Sequence, residues 1–86
     1  MKSIPHKPEP SFSDAAQKIV INGLYEHYKG QRYRVLAIAH HSETLEELVV
    51  YQALYGQERV WVRPLAMFLE NVTVEGQPKP RFRFIA

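Results

Sequence analysis

The stretch Thr44-Leu-Glu-Glu-Leu-Val-Val-Tyr-Gln-Ala-Leu-Tyr-Gly56 admits two readings, and the fold class follows from the choice between them. Thr44 with Glu47 has the form of a helical capping box and Gly56 that of a helix stop, which would make residues 45–55 an amphipathic helix. The interior argues otherwise. Val49-Val50-Tyr51 is β-branched and aromatic, and helical spacing leaves Val50, Tyr51 and Leu54 off the stripe set by Leu45, Leu48, Val49 and Gln52. As a strand from Leu48 to Tyr55, the segment places Val49, Tyr51, Ala53 and Tyr55 on one face and Leu48, Val50, Gln52 and Leu54 on the other. The strand reading is the better fit.

Downstream, Tyr55-Gly-Gln-Glu-Arg59 reads as a turn, followed by a strand at Val60 to Arg63 with Trp61 and Arg63 on one side and Val60 and Val62 on the other. Pro64 ends it or marks an edge. Leu65 to Leu69 is apolar but short, consistent with a single helical turn plugging one end of the core. A strand at Val72–Val74, a turn across Glu75–Pro80 and a last strand at Phe82–Ile85 complete the C-terminal side. Upstream, Leu24–Tyr28 and Tyr33–His40 form a hairpin about Lys29-Gly-Gln-Arg32, in which Gly30 supplies a positive φ. On the second strand Tyr33, Val35, Ala37 and Ala39 share a face. Asp14-Ala-Ala-Gln17 resembles a helix N-cap, and a short helix over Ala15 to Ile21 competes there with the β-branched run Ile19-Val-Ile21.

These elements give an all-β expectation: a small SH3-like antiparallel barrel of about five strands with a short helical turn, since closure would protect the edges of so small a sheet. Residues 23–86 form the barrel domain and residues 1–22 a flexible N-terminal arm holding the ambiguous short helix, because three prolines and two lysines fall within the first eleven residues.

Composition bounds the function. The 86 residues suit one domain, and with 45% hydrophobic residues the chain folds rather than staying disordered. There is no cysteine, so neither a disulfide nor a thiolate metal site is available, which fits a reducing compartment. No segment has the length of a signal peptide core or a membrane span, so the expected location is the cytoplasm, with no membrane partner. The net charge of +2 is too small to point to nucleic acid by itself.

Taken in order, Gly23-Leu-Tyr-Glu-His-Tyr-Lys-Gly30, Tyr33-Arg-Val-Leu36, Ala39-His-His-Ser-Glu-Thr44, Leu48-Val-Val-Tyr51, Leu54-Tyr-Gly56, Trp61-Val-Arg-Pro64, Met67-Phe68 and Pro80-Arg-Phe82 resemble the DUF1653 family of small bacterial domains of unknown function. The resemblance covers residues 23 to 85. It implies a compact bacterial domain and carries no catalytic role onto any residue.

Chemistry is sparse. His40 and His41, being adjacent, point to opposite faces of an extended chain, and their spacing with His27 and Glu43 matches no zinc pattern, so neither a metal nor another cofactor is expected. Ser42 has a neighbouring histidine but no group placed to orient it. Catalysis is therefore the weakest reading. Tyr51, Tyr55, Trp61 and Arg63 fall on one face of a hairpin and combine aromatic stacking with bidentate anion recognition. The loop His41, Ser42, Glu43 and Thr44 is expected to wall this cleft, or else to be a turn that merely locks itself. The expectation is a binding module for a peptide or protein partner. The alternatives are a small anionic ligand at the same face, or nucleic acid on an aromatic and basic surface of Tyr28, Lys29, Arg32, Arg34, Arg81 and Arg83. Self-association into a homodimer through an exposed strand is a further expectation.

Overall fold

The structure is a computed structural model that describes residues 10–86. Of the arm expected over residues 1–22, residues 1–9 lie outside the described residues. Seven strands and two single-turn helices follow in the order α1 (Asp14–Gln17), β1 (Leu24–His27), β2 (Arg32–His40), β3 (Glu47–Ala53), β4 (Val60–Pro64), α2 (Leu65–Phe68), β5 (Asn71–Val74), β6 (Gln77–Pro80) and β7 (Phe82–Phe84). The stretch with two readings is thus strand β3, its Val49, Tyr51 and Ala53 buried and the intervening residues half-buried.

Five strands make one antiparallel sheet in the order β4-β3-β2-β1-β7, and β5 with β6 forms a separate ribbon. The sheet does not close into the expected SH3-like barrel, for β4 and β7 remain its two edges. Side chains do the covering instead. Leu65 and Phe68 of α2 are buried against the sheet, and the Phe68 ring stacks on Phe82 with centroids 4.2 Å apart. Tyr25 and Tyr51 meet Phe68 edge-on at 5.5 and 5.6 Å. These T-shaped contacts set the positive ring edge of one residue on the negative face of another.

β2 departs from simple alternation. Val35 pairs with Tyr51 and Ala37 with Val50, so Leu36 is an extra residue, a β-bulge. Beyond it the faces exchange: Ile38, opposite the buried Val49, joins the core side with Tyr33 and Val35, where sequence alternation had placed Ala37 and Ala39. His40 follows the same phase and stacks on Phe12 with centroids 4.5 Å apart.

Residues 10–22 are tied to the core by side chains. Ser13, rather than Asp14, caps α1, its Oγ accepting from Ala16 N at 3.1 Å. Glu47 of β3 holds that cap, its two carboxylate oxygens accepting from Ser13 N and Ser13 Oγ at 2.7 Å each. Ala16 and Ile19 are buried in the same cluster as Val35 and Val49.

At the other end, β6 occupies what alternation and prolines mark as a turn. A two-residue turn at Glu75-Gly76, both at positive φ, joins it to β5. Pro78 and Pro80 are both two-apart positions of β6, which pairs only with β5, so their missing N–H groups fall on the unpaired side.

Candidate recognition cleft

The β3–β4 register is Tyr51↔Trp61 and Val49↔Arg63, which puts Trp61 and Arg63 on the core side of an edge strand, next to Tyr51. Tyr33 of β2 reaches the same place because Ala53 is its partner, and Tyr55 does so by leaving β3 just past Ala53. Together Tyr33, Tyr51, Tyr55, Trp61 and Arg63 line an open cavity of about 220 Å³.

Its polar groups are fixed in place. The phenol oxygens of Tyr33 and Tyr55 share a hydrogen bond of 2.7 Å. Arg63 Nε donates to Tyr51 Oη at 3.1 Å, and its guanidinium carbon lies 5.5 Å from the Phe82 ring centroid, within cation–π range. Among the described residues no carboxylate stands within ion-pair distance of Arg63: the pairs found are Arg32–Glu26, Arg81–Glu70 and Arg83–Glu26. The Trp61 side chain is half in water, at 50% exposure.

His27 sits behind the cleft, its ring 5.0 Å from Phe82 and 6.4 Å from Tyr33. Burial, then the positive charges of Arg63, Arg81 and Lys29, holds its imidazole below the usual value of 6.5. Burial and the hydrogen bond with Tyr55 push the Tyr33 phenol upward, so it keeps its proton at neutral pH. The cleft therefore offers a fixed cation, phenol hydroxyls and aromatic faces, a set suited to holding an anion beside an apolar or planar group.

The loop at His41–Thr44 is elsewhere. It joins the far end of β2 and β3, where His40 pairs with Glu47, and does not line the cleft. It locks itself: His41 Nδ1 accepts from Glu43 N at 3.1 Å and Thr44 N at 3.2 Å, Thr44 Oγ1 accepts from Glu46 N at 3.2 Å, and Leu45 takes a positive φ. These are the bonds of a turn that locks itself, with His41 Nδ1 and Thr44 Oγ1 as its acceptors. Among the described residues no three His, Asp or Glu side chains are grouped to hold a metal ion.

The basic set is split. Arg32 and Arg83 both pair with Glu26 on the outer face of the sheet, at 3.5 and 2.9 Å, and Arg34 donates to the Asn22 carbonyl at 2.6 Å. Arg81 is held by Glu70, while Lys29 lies over the Tyr28 ring at 5.8 Å in the β1–β2 turn. A larger cavity of about 390 Å³ between α1 and β2, bounded by Phe12, Ile19, Ile21 and Leu36, is apolar and has only Gln17 to orient a ligand.

The model of the family described as "Protein of unknown function (DUF1653)" matches residues 23–84. The chain belongs to the DUF1653 family. A solved relative, the crystal structure of a DUF1653 protein from Bordetella bronchiseptica, is 36% identical and superposes with a TM-score of 0.73, the match covering 81% of this chain and 91% of that one. No curated protein matches it. The match to the DUF1653 model begins at Gly23, so the cleft residues lie inside the family unit and α1 outside it.

Sequence reasoning did not assign Tyr33, which lines the cleft, or Phe82 and His27, which back it, to this site. Each reaches it through cross-strand register, which no local pattern encodes.

Proposed function

We propose that this DUF1653 domain is a non-catalytic binding module that recognises a peptide or protein partner through the Tyr33–Tyr51–Tyr55–Trp61–Arg63 cleft. The observation that carries this reading is Arg63: half-buried, oriented by Tyr51 and Phe82, and without a carboxylate partner among the described residues. A half-buried guanidinium held in one geometry favours an incoming carboxylate, and the half-exposed Trp61 and Tyr55 beside it offer stacking area. The open cleft is smaller than the roughly 300–1,000 Å³ usual for enclosed small-molecule sites. That favours a segment of a larger partner over a free metabolite. We read the architecture as an SH3-like sheet left open along β4, and the cysteine-free chain and its Bordetella relative as those of a bacterial cytoplasmic protein.

Affinity capture from bacterial lysate tests this, with the intact protein, W61A and R63A compared after each variant is shown to be folded by circular dichroism. Partners retained by the intact protein and lost by both variants are expected. The same partners on all three would refute the reading. The division of the basic residues between two faces speaks against a nucleic-acid surface, and retention on a mixed DNA and RNA column that falls steeply with salt would revive it.

A further inference from the structure

We propose that the partner segment binds as an added strand, antiparallel along the free edge of β4, with an acidic side chain opposite Arg63 and an aliphatic one opposite Val62. The proposal rests on the cleft being the recognition site and states how it is used.

Among the described residues β4 pairs only with β3, so its other side is a sheet edge. The direction of its backbone groups can be worked out. Arg59 O accepts from Ala53 N at 2.9 Å, which turns the odd-numbered residues 59, 61 and 63 toward β3. Pro64, with no N–H to give, falls in the other set, as a proline in an edge strand must. The N–H and C=O groups of Val60 and Val62 therefore face outward, unpaired within the sheet.

The edge lacks most of the devices that keep strands from pairing. It carries no lysine or bulge and, among the described residues, no covering element, and Val60, Trp61 and Val62 are 53%, 50% and 57% exposed. Val62 lies across from Val50 on the outer face, and Trp61 and Arg63 stand on the cleft face. A strand laid here would alternate between two chemistries. Every pairing in the sheet is antiparallel, so the partner would present, in its own chain direction, an acidic residue opposite Arg63, an aliphatic opposite Val62, an aromatic or β-branched residue opposite Trp61 and an aliphatic opposite Val60.

A second copy of this chain fits the edge less well. Pairing β4 with itself about Val62 sets Val60 against Pro64, which removes the proline's donor on both sides, and leaves Arg63 of each copy facing Trp61 instead of a carboxylate.

The test uses a phage-displayed library of short linear peptides panned on the intact protein, together with a synthetic fluorescein-labelled peptide containing Glu-Val-Tyr-Val. Enriched sequences should share the acidic–aliphatic–aromatic order. Methylating the backbone nitrogen of either valine should weaken binding about tenfold or more, because those N–H groups point at β4, and methylating that of the glutamate or tyrosine should change it by less than about threefold. W61A and R63A should each abolish binding. Binding that needs Trp61 and Arg63 but ignores which nitrogen is methylated would overturn strand addition and leave the cleft reading standing. Binding unchanged by both substitutions would remove both. Failure of library and synthetic peptide alike to bind would also overturn the proposal. So would peptide-free amide protection at Val60 and Val62 that rises with protein concentration, which would make a second copy the occupant.

Discussion

Gly23 shows how tightly single residues are set in this domain. A Cβ built on it would lie 2.8 Å from Val20 O, 3.0 Å from Val20 Cβ and 3.1 Å from Phe84 Cε1. The first of these is backbone that already accepts a hydrogen bond from Gly23 N at 3.0 Å, so it cannot give way cheaply. The glycine is required for closeness of approach, its backbone being in an ordinary conformation. Gly23→Ala should destabilise the fold by about 1–3 kcal/mol through overpacking, read as a lower urea midpoint with unchanged slope. An unchanged midpoint would show that the Val20 turn relaxes freely. At the same scale, the cleft was partly legible. The parity of Tyr51, Trp61 and Arg63 follows from one hairpin read with a period of two, whereas Tyr33 enters by register and His41–Thr44, chosen for its polarity, belongs to a turn at the wrong end of β2 and β3.

Among the elements, strands that alternate without interruption were readable and those governed by an exception were not. β3 declared itself through Val49, Val50 and Tyr51. β2 hid its bulge, since nothing in Val35-Leu36-Ala37 distinguishes an extra residue from a continuing strand. β6 was lost behind Pro78 and Pro80, which exclude a central strand but not one with a bare outer side. α1 depends on a long-range partner: its cap Ser13 is positioned by Glu47, 34 residues away. Ser13→Ala removes the cap and the oxygen that Glu47 holds, and should cost about 1 kcal/mol. Loss of stability together with faster amide exchange at Ala16 is the expected result, and exchange at Ala16 equal to that of the unaltered protein would refute the role given to the cap.

For the molecule as a whole, three depressed pKa values set the response to acid. His27 is held below 6.5 by burial and by Arg63, Arg81 and Lys29, so folding binds fewer protons there than the unfolded chain does. Its share of stability is complete above pH 6.5 and is lost as pH falls from there through the folded value. Glu26, stabilised as the anion chiefly by Arg83 with help from Arg32, and Glu47, by the N–H and hydroxyl of Ser13, are both held below 4.5. Their shares are intact above pH 4.5 and disappear as pH drops through their folded values. Stability against urea should therefore be level above about pH 6.5, decline once below it, and decline again below about 4.5. His27→Gln should abolish the first decline and keep the second. A first decline that survives in that variant would assign it to another group.

The β5–β6 ribbon stands outside this economy of close fits. Its turn residues Glu75 and Gly76 are exposed and outside the core cluster, its outer strand is exposed along its whole length, and its base is pinned by Arg81 N donating to Glu70 O at 3.0 Å. Chain length at the ribbon tip is thus uncoupled from the cleft, and the entropic cost of a longer loop grows only with the logarithm of its length. A guest sequence spliced between Glu75 and Gly76 would ride on the domain as cargo, leaving the binding edge at β4 free to work.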